Sequence, residues 1–377
     1  MQYVKFGQTP LTVSRFGLGC MRFPEAEDEA IAMVRYAIDH GVNYCDTAYV
    51  YENSEAILAR ALRNGYRERI NLVTKSNTWG IEKHSDWERF LDEQLLRLGT
   101  DHFDVYLLHN LYDQNWRRVL DYDGFGFLDE MVAKGKVRYR GFSMHNTLTA
   151  FKTAVDACSW DMAQIQLNIL DEQVQIGTEG LLYGAAAGLA MVVMEPLRGG
   201  NLIKNMPPAV GKLIAAHPEQ RSLADWCFRW LFDKPEVTLI LSGTSTLGQL
   251  QENLRIFENA QAGILSEAEQ DFIGQLRAAF EEQDSIGCTG CGYCLPCPQG
   301  VDIPHIFRMY NNNKLSQGHF VDKLAYSGGL VAEGHGADRC ISCGACEALC
   351  PQQLPISSLL EEAHEALGFD VVGFRRK

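Results

Sequence analysis

Apolar runs of strand length alternate with amphipathic helical stretches up to about residue 262. This predicts an α/β fold, a (β/α)8 TIM barrel over residues 1–262. A second observation, a cysteine-rich stretch after it, predicts a small, mostly helical domain over 284–377, joined by a helical connector at 263–283. The strand runs are SRFGLGCM (14–21), VNYCD (42–46), INLVTK (70–75), FDVYLLH (103–109), VRYRGFS (137–143), AQIQLN (163–168), LAMVVME (189–195) and VTLILSG (237–243). Between them EDEAIAMVRYAIDHG, ENSEAILARALRNG and WERFLDEQLLRLG place apolar residues three and four apart and end on glycine, the pattern of a capped amphipathic helix. Eight such units are what a barrel needs. A doubly wound open sheet is the runner-up, but no GxGxxG follows the first strand. KFGQTPLTVS, ahead of the first strand, reads as a hairpin capping the barrel floor. LSEAEQDFIGQLRAAFEEQ (265–283) supplies the connector, and VDIPHIFRMYNNN, FVDKLAYSGG and LPISSLLEEAHEALG read as the helices of the second domain.

Eight of the twelve cysteines lie in two tight runs, each closed by proline. The first is Cys288, Cys291, Cys294 and Cys297; the second is Cys340, Cys343, Cys346 and Cys350. Two-residue gaps put three thiolates on one short loop, at the reach of three corners of a cubane cluster, and the proline keeps the backbone from closing over it. Two runs separated by 42 residues point to [4Fe–4S] clusters and redox chemistry. Zinc takes its ligands more often as two separated CxxC pairs. A disulfide framework fits less well still, because the cysteines are clustered and a 377-residue chain needs no staples. In two-cluster ferredoxins the fourth cysteine of each run crosses to the other cluster. That scheme pairs Cys350 with the first run and Cys297 with the second. The first run has two residues before its last cysteine where the pattern has three, so local ligation or a single cluster stays open. Cys20, Cys45, Cys158 and Cys227 sit singly in apolar stretches and read as small buried side chains.

Hydrophobic residues make up 46% of the chain, ample for a large core and a small second domain. A net charge of −14 with dispersed basic residues argues against a nucleic-acid surface. No signal pattern opens the sequence and no apolar run is long enough to span a bilayer, so the expectation is a cytoplasmic enzyme with no membrane partner.

Barrel enzymes carry chemistry where the strands end. The second, third and fourth strands end at Asp46, Lys75 and His109, and Tyr51 lies just past Asp46. Taken singly, Lys75 reads as a rim charge and His109 as a strand-end histidine with ordinary partners. Together, a phenol, an ammonium, a carboxylate and an imidazole at one mouth suggest general-acid reduction of a carbonyl. Tyrosine and lysine both titrate near pH ~10. An ammonium beside the phenol is expected to lower its pKa, with Asp46 holding the lysine.

The segment DTAYVYENSEAILARAL (46–62) resembles the DTAxxYGxSExxLGxAL signature of the aldo/keto reductases, and LVTKS, DVYLLHN and VRYRGFS match later strand-end motifs. The resemblance covers about 260 residues, and with the cysteine region the chain looks like the iron–sulfur-bearing branch of that family. It implies catalytic positions for Asp46, Tyr51, Lys75 and His109: Tyr51 the acid, His109 orienting the carbonyl, hydride from a nicotinamide across the mouth. It also implies that Ser143 and Gln164 hold the carboxamide. SGTSTLGQLQEN resembles the loop at the adenosine phosphate, so Gly243, Thr244, Ser245, Gln249, Glu252 and Asn253 become the remaining dinucleotide positions. The pattern is broken by Met144 after Ser143, by Met194 in place of a stacking aromatic, and by Gly243 and Gln249 in place of bases that would grip a 2′-phosphate. A dinucleotide is favoured, but NADP over NAD does not follow; Arg198 or Arg255 could substitute.

Nicotinamide delivers two electrons as hydride and an iron–sulfur cluster passes one, and the chain has no recognisable flavin motif. The first reading is a carbonyl reductase with a small carbonyl substrate and structural or redox-sensing clusters. The second is a relay to an external redox partner protein, the barrel holding another cofactor. The third is an electron-transfer module with the barrel as scaffold.

Overall fold

The computed structural model describes residues 1–281, 285–315, 323 and 326–368. By internal packing these form two units, Met1–Pro196 with Ala224–Ile273, and Leu197–Leu223 with Gly274–Lys377. Chain order and packing therefore part at one place: the loop 197–223, numbered inside the barrel, packs with the cysteine-bearing residues.

In the first unit a hairpin of β1 (Tyr3–Lys5) and β2 (Thr12–Ser14) precedes a closed parallel barrel. Its strands are β3 (Phe16–Gly19), β4 (Tyr44–Asp46), β5 (Asn71–Lys75), β6 (Phe103–Leu108), β7 (Val137–Met144), β8 (Met162–Gln166), β9 (Ala190–Met194) and β10 (Val237–Ser242). Each pairs with the next in sequence, and β10 closes on β3. The eight expected strands are these eight.

The hairpin caps the floor as expected. Phe6 and Val13 are fully buried and join one cluster with Tyr44, Val73, Leu107, Met162 and Val192 from the strands. Gly7, with φ 56°, lets the turn press on the start of β9; a Cβ there would lie 2.7 Å from the Ala190 nitrogen. Because strand side chains alternate with period two, the cluster also fixes what lies above it. Asp46 follows Tyr44 by two, Lys75 follows Val73 and His109 follows Leu107, so each polar residue shares the inward face of an apolar one.

The outer helices are α1 (Glu27–Asp39), α2 (Ser54–Ala61), α3 (Ser85–Leu98), α4 (Asp113–Asp121), α5 (Gly124–Ala133), α6 (Leu148–Ala157) and α7 (Gly177–Ala186). In α3, Trp87, Phe90, Leu91, Gln94, Leu95 and Leu98 form the buried stripe, and Gly99 ends the helix in the left-handed region at φ 65°. Next come α8 (Asn201–Lys204), α9 (Pro208–Ala216), α10 (Leu223–Phe232), α11 (Leu247–Ile256) and α12 (Glu267–Glu281), the last lying within 263–283. Cys20, Cys45 and Cys227 are buried as expected, while Cys158, just past α6, is only half-buried.

The second unit has α13 (Ile303–Leu315) and α14 (Ile356–Leu367), which share a core of Ile303, Ile306, Phe307, Ile356, Leu360 and Ala363. Of the third expected helix, FVDKLAYSGG, residues 320–322, 324 and 325 lie outside the described residues; Tyr326–Val331 form a turn of π-helix. Among the described residues no helix is long and apolar enough to cross a membrane.

Candidate functional site

The polar strand ends of β4, β5 and β6 meet at the C-terminal mouth of the barrel. Lys75 Nζ donates to Asp46 Oδ1 at 2.6 Å and to the Thr47 carbonyl at 2.8 Å, with both side chains buried. Removing either partner would leave an uncompensated buried charge, at a cost of about 3–5 kcal/mol. The same Nζ lies 4.9 Å from the centre of the Tyr51 ring. Tyr51 stands edge-on to His109, ring centres 5.9 Å apart, and Trp79 backs His109 in the same manner at 5.0 Å. All four expected residues are thus brought together. The His109 backbone N–H donates to the hydroxyls of Ser76 and Thr78, and the Asn115 side chain donates to the carbonyls of His109 and Asn110. These bonds hold the turn in which Asn110 takes φ 49°.

One expectation is corrected. Burial, and after it the Asp46 carboxylate, push the Tyr51 phenol well above its ordinary value, and among its larger influences only Arg22 acts downward. The ammonium faces the ring while its hydrogen bonds go to Asp46 and Thr47, so it does little for the phenolic oxygen. Tyr51 is therefore a protonated phenol across the neutral range. Burial lowers Lys75, opposed by Asp46, and burial raises Asp46, opposed by Lys75. His109 is held neutral mainly by burial, then by Lys75 and His145. Burial also lowers His145 to about 4.

A pH dependence follows. The unfolded chain binds protons on these imidazoles from about pH 6.5, whereas the native state leaves His145 neutral to about 4. Where the unfolded state binds more protons, stability falls as pH falls. The thermal midpoint should therefore drop from about pH 6.5 towards about 4, and His145→Gln should flatten part of that slope. A midpoint that does not move between pH 7 and 5 would show that the imidazoles are not held neutral.

The remaining expected residues line the ends of β7, β8 and β10. Ser143 and Gln164 are register partners across β7 and β8. The Ser143 hydroxyl accepts from the Asn110 N–H at 3.0 Å, leaving its own proton to donate. Gln164 Nε2 lies 3.6 Å from Met194 Sδ, while its Oε1 is buried with no partner among the described residues. Thr244 Oγ1 is likewise buried and unpartnered. An orphaned amide oxygen suits the NH2 of a carboxamide and an orphaned hydroxyl suits a phosphate, so the residues present fit a nicotinamide dinucleotide. Gln249 folds back, its Oε1 accepting from Ser245 N at 3.0 Å. Asn253 Nδ2 donates to Ser242 Oγ, and Glu252 is half-buried on α11. Arg255 is exposed on the last turn of α11, remote from the loop at the helix start.

Sequence reasoning passed over Arg22 and Glu195. Arg22 packs beside Gly243, its Cβ 3.7 Å from where a Gly243 Cβ would stand, and its Nη2 is 4.0 Å from Glu195 Oε1. Glu195 follows β9 with a left-handed φ of 56°. The signal for Arg22 is its place just past the first barrel strand, β3, the same strand-end position that marks Asp46, Lys75 and His109.

In the second unit one cavity is lined by Cys288, Cys291, Cys294 and Cys350, with Ile303, Phe307, Leu354 and Ile356. Burial, then Cys291, Cys288 and Cys350, push the Cys294 thiol up to about 12. Four crowded thiols in an apolar shell suit a cationic cluster, which relieves that repulsion by taking the ligands as thiolates. The segment after Cys297 is tied to the approach of the second run: Arg339 Nε donates to the Gln299 carbonyl and Asp302 N to the His335 carbonyl.

A closed eight-stranded parallel barrel with a carboxylate, lysine, tyrosine and histidine at its C-terminal mouth is built as a TIM-barrel enzyme. Comparison with known proteins defines it further. The aldo/keto reductase family model matches residues 15–264 and a 4Fe-4S dicluster domain model matches 287–354. The chain is 25% identical to the uncharacterised oxidoreductase YqkF of Bacillus subtilis over 308 residues, 72% of this chain and 98% of that protein. It is 26% identical to YrpG, another uncharacterised oxidoreductase of that organism, over 68% of this chain and 91% of the relative. Among solved structures, the aldo-keto reductase AKR11C1 of Bacillus halodurans in its holo form superposes with a TM-score of 0.63 at 25% identity, covering 73% of this chain and 96% of that one. The protein belongs to the aldo/keto reductase family; it is an oxidoreductase of that family carrying a C-terminal 4Fe-4S domain.

Proposed function

We propose that the barrel reduces the carbonyl of a small aldehyde or ketone, using a nicotinamide dinucleotide, with Tyr51 as general acid. The observation that carries this reading is the contact chain Asp46–Lys75–Tyr51–His109 at the mouth. A nicotinamide, when bound, supplies the hydride. The chain's own residues do the rest. Tyr51 keeps its proton until charge develops on the carbonyl oxygen, then gives it up. The neutral His109 imidazole has one N–H to donate and orients that oxygen. Lys75, fixed by Asp46, packs under the ring and holds the phenol in place at the mouth. Ser143 and Gln164 orient the carboxamide, and Gly243, Thr244 and Ser245 receive a phosphate, with Gln249, Glu252 and Asn253 holding their loop and the helix behind it. Aerobic and anaerobic assays of NADH and NADPH oxidation against a carbonyl panel test this, together with extraction of any organic cofactor. A tightly bound flavin and no nicotinamide turnover would favour the relay reading.

The choice of dinucleotide follows from the loop after β10. With Gly243 and Gln249 in place of bases, NAD and NADP should differ weakly in affinity. Gly243→Lys with Gln249→Arg should then favour NADP by roughly ten- to a hundred-fold, the worth of a charge-assisted bond. A strong native preference for NADP in titrations of the wild type would refute the expectation and point to Arg22, beside Gly243, as the phosphate residue.

In the second unit the reading is two [4Fe–4S] clusters with crossed ligands: Cys288, Cys291, Cys294 and Cys350 for one, Cys340, Cys343, Cys346 and Cys297 for the other. The shared cavity of Cys350 with the first run supports it.

A further inference from the structure

The loop that follows β9 in sequence packs with the cysteine-bearing unit. Its first turn strings together three left-handed residues, Arg198 (φ 46°), Gly199 (φ 65°) and Gly200 (φ 88°). Glycine takes that region freely, but arginine does not, and strain of this kind persists only where surrounding structure holds it. The turn delivers Asn201, whose Nδ2 donates to the Cys288 carbonyl at 2.5 Å across 87 positions of sequence. It also lays the guanidinium of Arg198 against the residue before Cys288: Nη1 is 3.7 Å from where a Gly287 Cβ would sit. A cation beside Gly287 and an amide on the Cys288 carbonyl thus meet the start of the first run from a distant part of the chain.

We propose that Arg198 sets the reduction potential of the iron–sulfur cluster held by the first cysteine run, and that Asn201 positions that run's first ligand. The inference rests on the reading of Cys288, Cys291, Cys294 and Cys350 as cluster ligands. Reduction adds one negative charge to a cluster, so a nearby cation stabilises the reduced form more than the oxidised one. The apolar residues Ile303, Phe307 and Ile356 line the cavity beside the cysteines, and a charge in partly buried surroundings is screened less than one in open solvent. Cluster potentials respond to net charge and to the groups around the ligands. Arginine suits the task because it stays charged at any pH the fold survives. A Cβ at 287 would meet the guanidinium at ordinary contact distance, so the cation lies directly beside this part of the backbone.

The test is an anaerobic redox titration of the full-length, cluster-loaded protein with dithionite, followed by electron paramagnetic resonance. Arg198→Gln should shift the oxidised-to-reduced ratio of one signal about tenfold towards oxidised at fixed potential, a midpoint about 59 mV lower for a one-electron couple. Arg198→Lys should restore most of the shift, and the affected signal should be the one that Cys291→Ala abolishes. Gly287→Glu, which keeps Arg198 but sets a carboxylate against it, should lower the same midpoint and serves if Arg198→Gln loses its cluster on purification. Asn201→Ala should leave the midpoint nearly in place while speeding loss of that cluster to a chelator. Unchanged midpoints in both Arg198→Gln and Gly287→Glu would overturn the assignment, as would equal shifts of both signals or a lysine variant as shifted as the glutamine one. Wild-type protein without cluster signals would overturn the ligand reading itself, and this inference with it.

Discussion

Tyr51→Phe is expected to lower kcat for carbonyl reduction by roughly 10²–10⁴-fold, the usual worth of a positioned general acid, while dinucleotide affinity stays within about twofold. The change removes one oxygen and leaves the ring that packs on His109 and covers Lys75. Binding and folding should therefore survive it. The comparison needs a Kd for the dinucleotide beside the rate, because a fallen kcat with lost binding would describe a damaged pocket instead. Since the phenol is held protonated well past neutrality, the wild-type rate should also lack a loss attributable to Tyr51 ionisation between pH 6 and 9. A Tyr51→Phe enzyme as fast as wild type would remove the tetrad from the chemistry and leave the barrel as a scaffold for the clusters.

Cys350→Ala is expected to destroy the cluster of the first run and spare that of the second. Two cubane clusters bring about eight irons and about eight sulfides per chain, and anaerobically purified wild-type protein should approach both counts. The variant should fall to about half, with the surviving signal belonging to Cys340, Cys343 and Cys346. Cys297→Ala should do the reverse. Reach is the physical reason: three cysteines of one loop cover one face of a cubane, and the chain leaving the loop carries the fourth away. Cys350 lies in the cavity of Cys288, Cys291 and Cys294, and residues 299–302 lean on residues 335–339. Damage confined to the second run's cluster in Cys350→Ala would sink the crossed scheme, and about four irons in wild type would sink the second cluster.

Legibility in the sequence followed the range of the interactions involved. Alternating apolar runs and glycine-stopped helices report local backbone preference and burial on one face, so all eight barrel strands could be read. The floor hairpin and the cysteine runs were legible for the same reason, since turn residues and ligand spacing act over a few positions. The tetrad was legible because a barrel brings its strand ends together whatever the loops do, so Asp46, Lys75 and His109 needed only their place in each run. Which way a group titrates depends instead on everything around it. The neighbours of the Tyr51 phenol come from the ends of several strands, and the upward push of burial and Asp46 outweighs an ammonium that is spent on Asp46 and Thr47. Arg22 beside Gly243, the folded-back Gln249 and the orphaned oxygens of Gln164 and Thr244 are likewise products of packing.

The sequence by itself determined the barrel, the cysteine-bearing domain, the four residues at the mouth and the family to which they belong. Each is written in spacing and period, which survive in one dimension. Only the tertiary structure decided that Cys350 shares a cavity with the first run, that Tyr51 is held protonated, and that the loop after β9 joins the cysteine unit through Arg198 and Asn201. Most of these depend on contacts between segments tens of positions or more apart. Their energies depend on distance and burial in three dimensions, and no local pattern of residues encodes either.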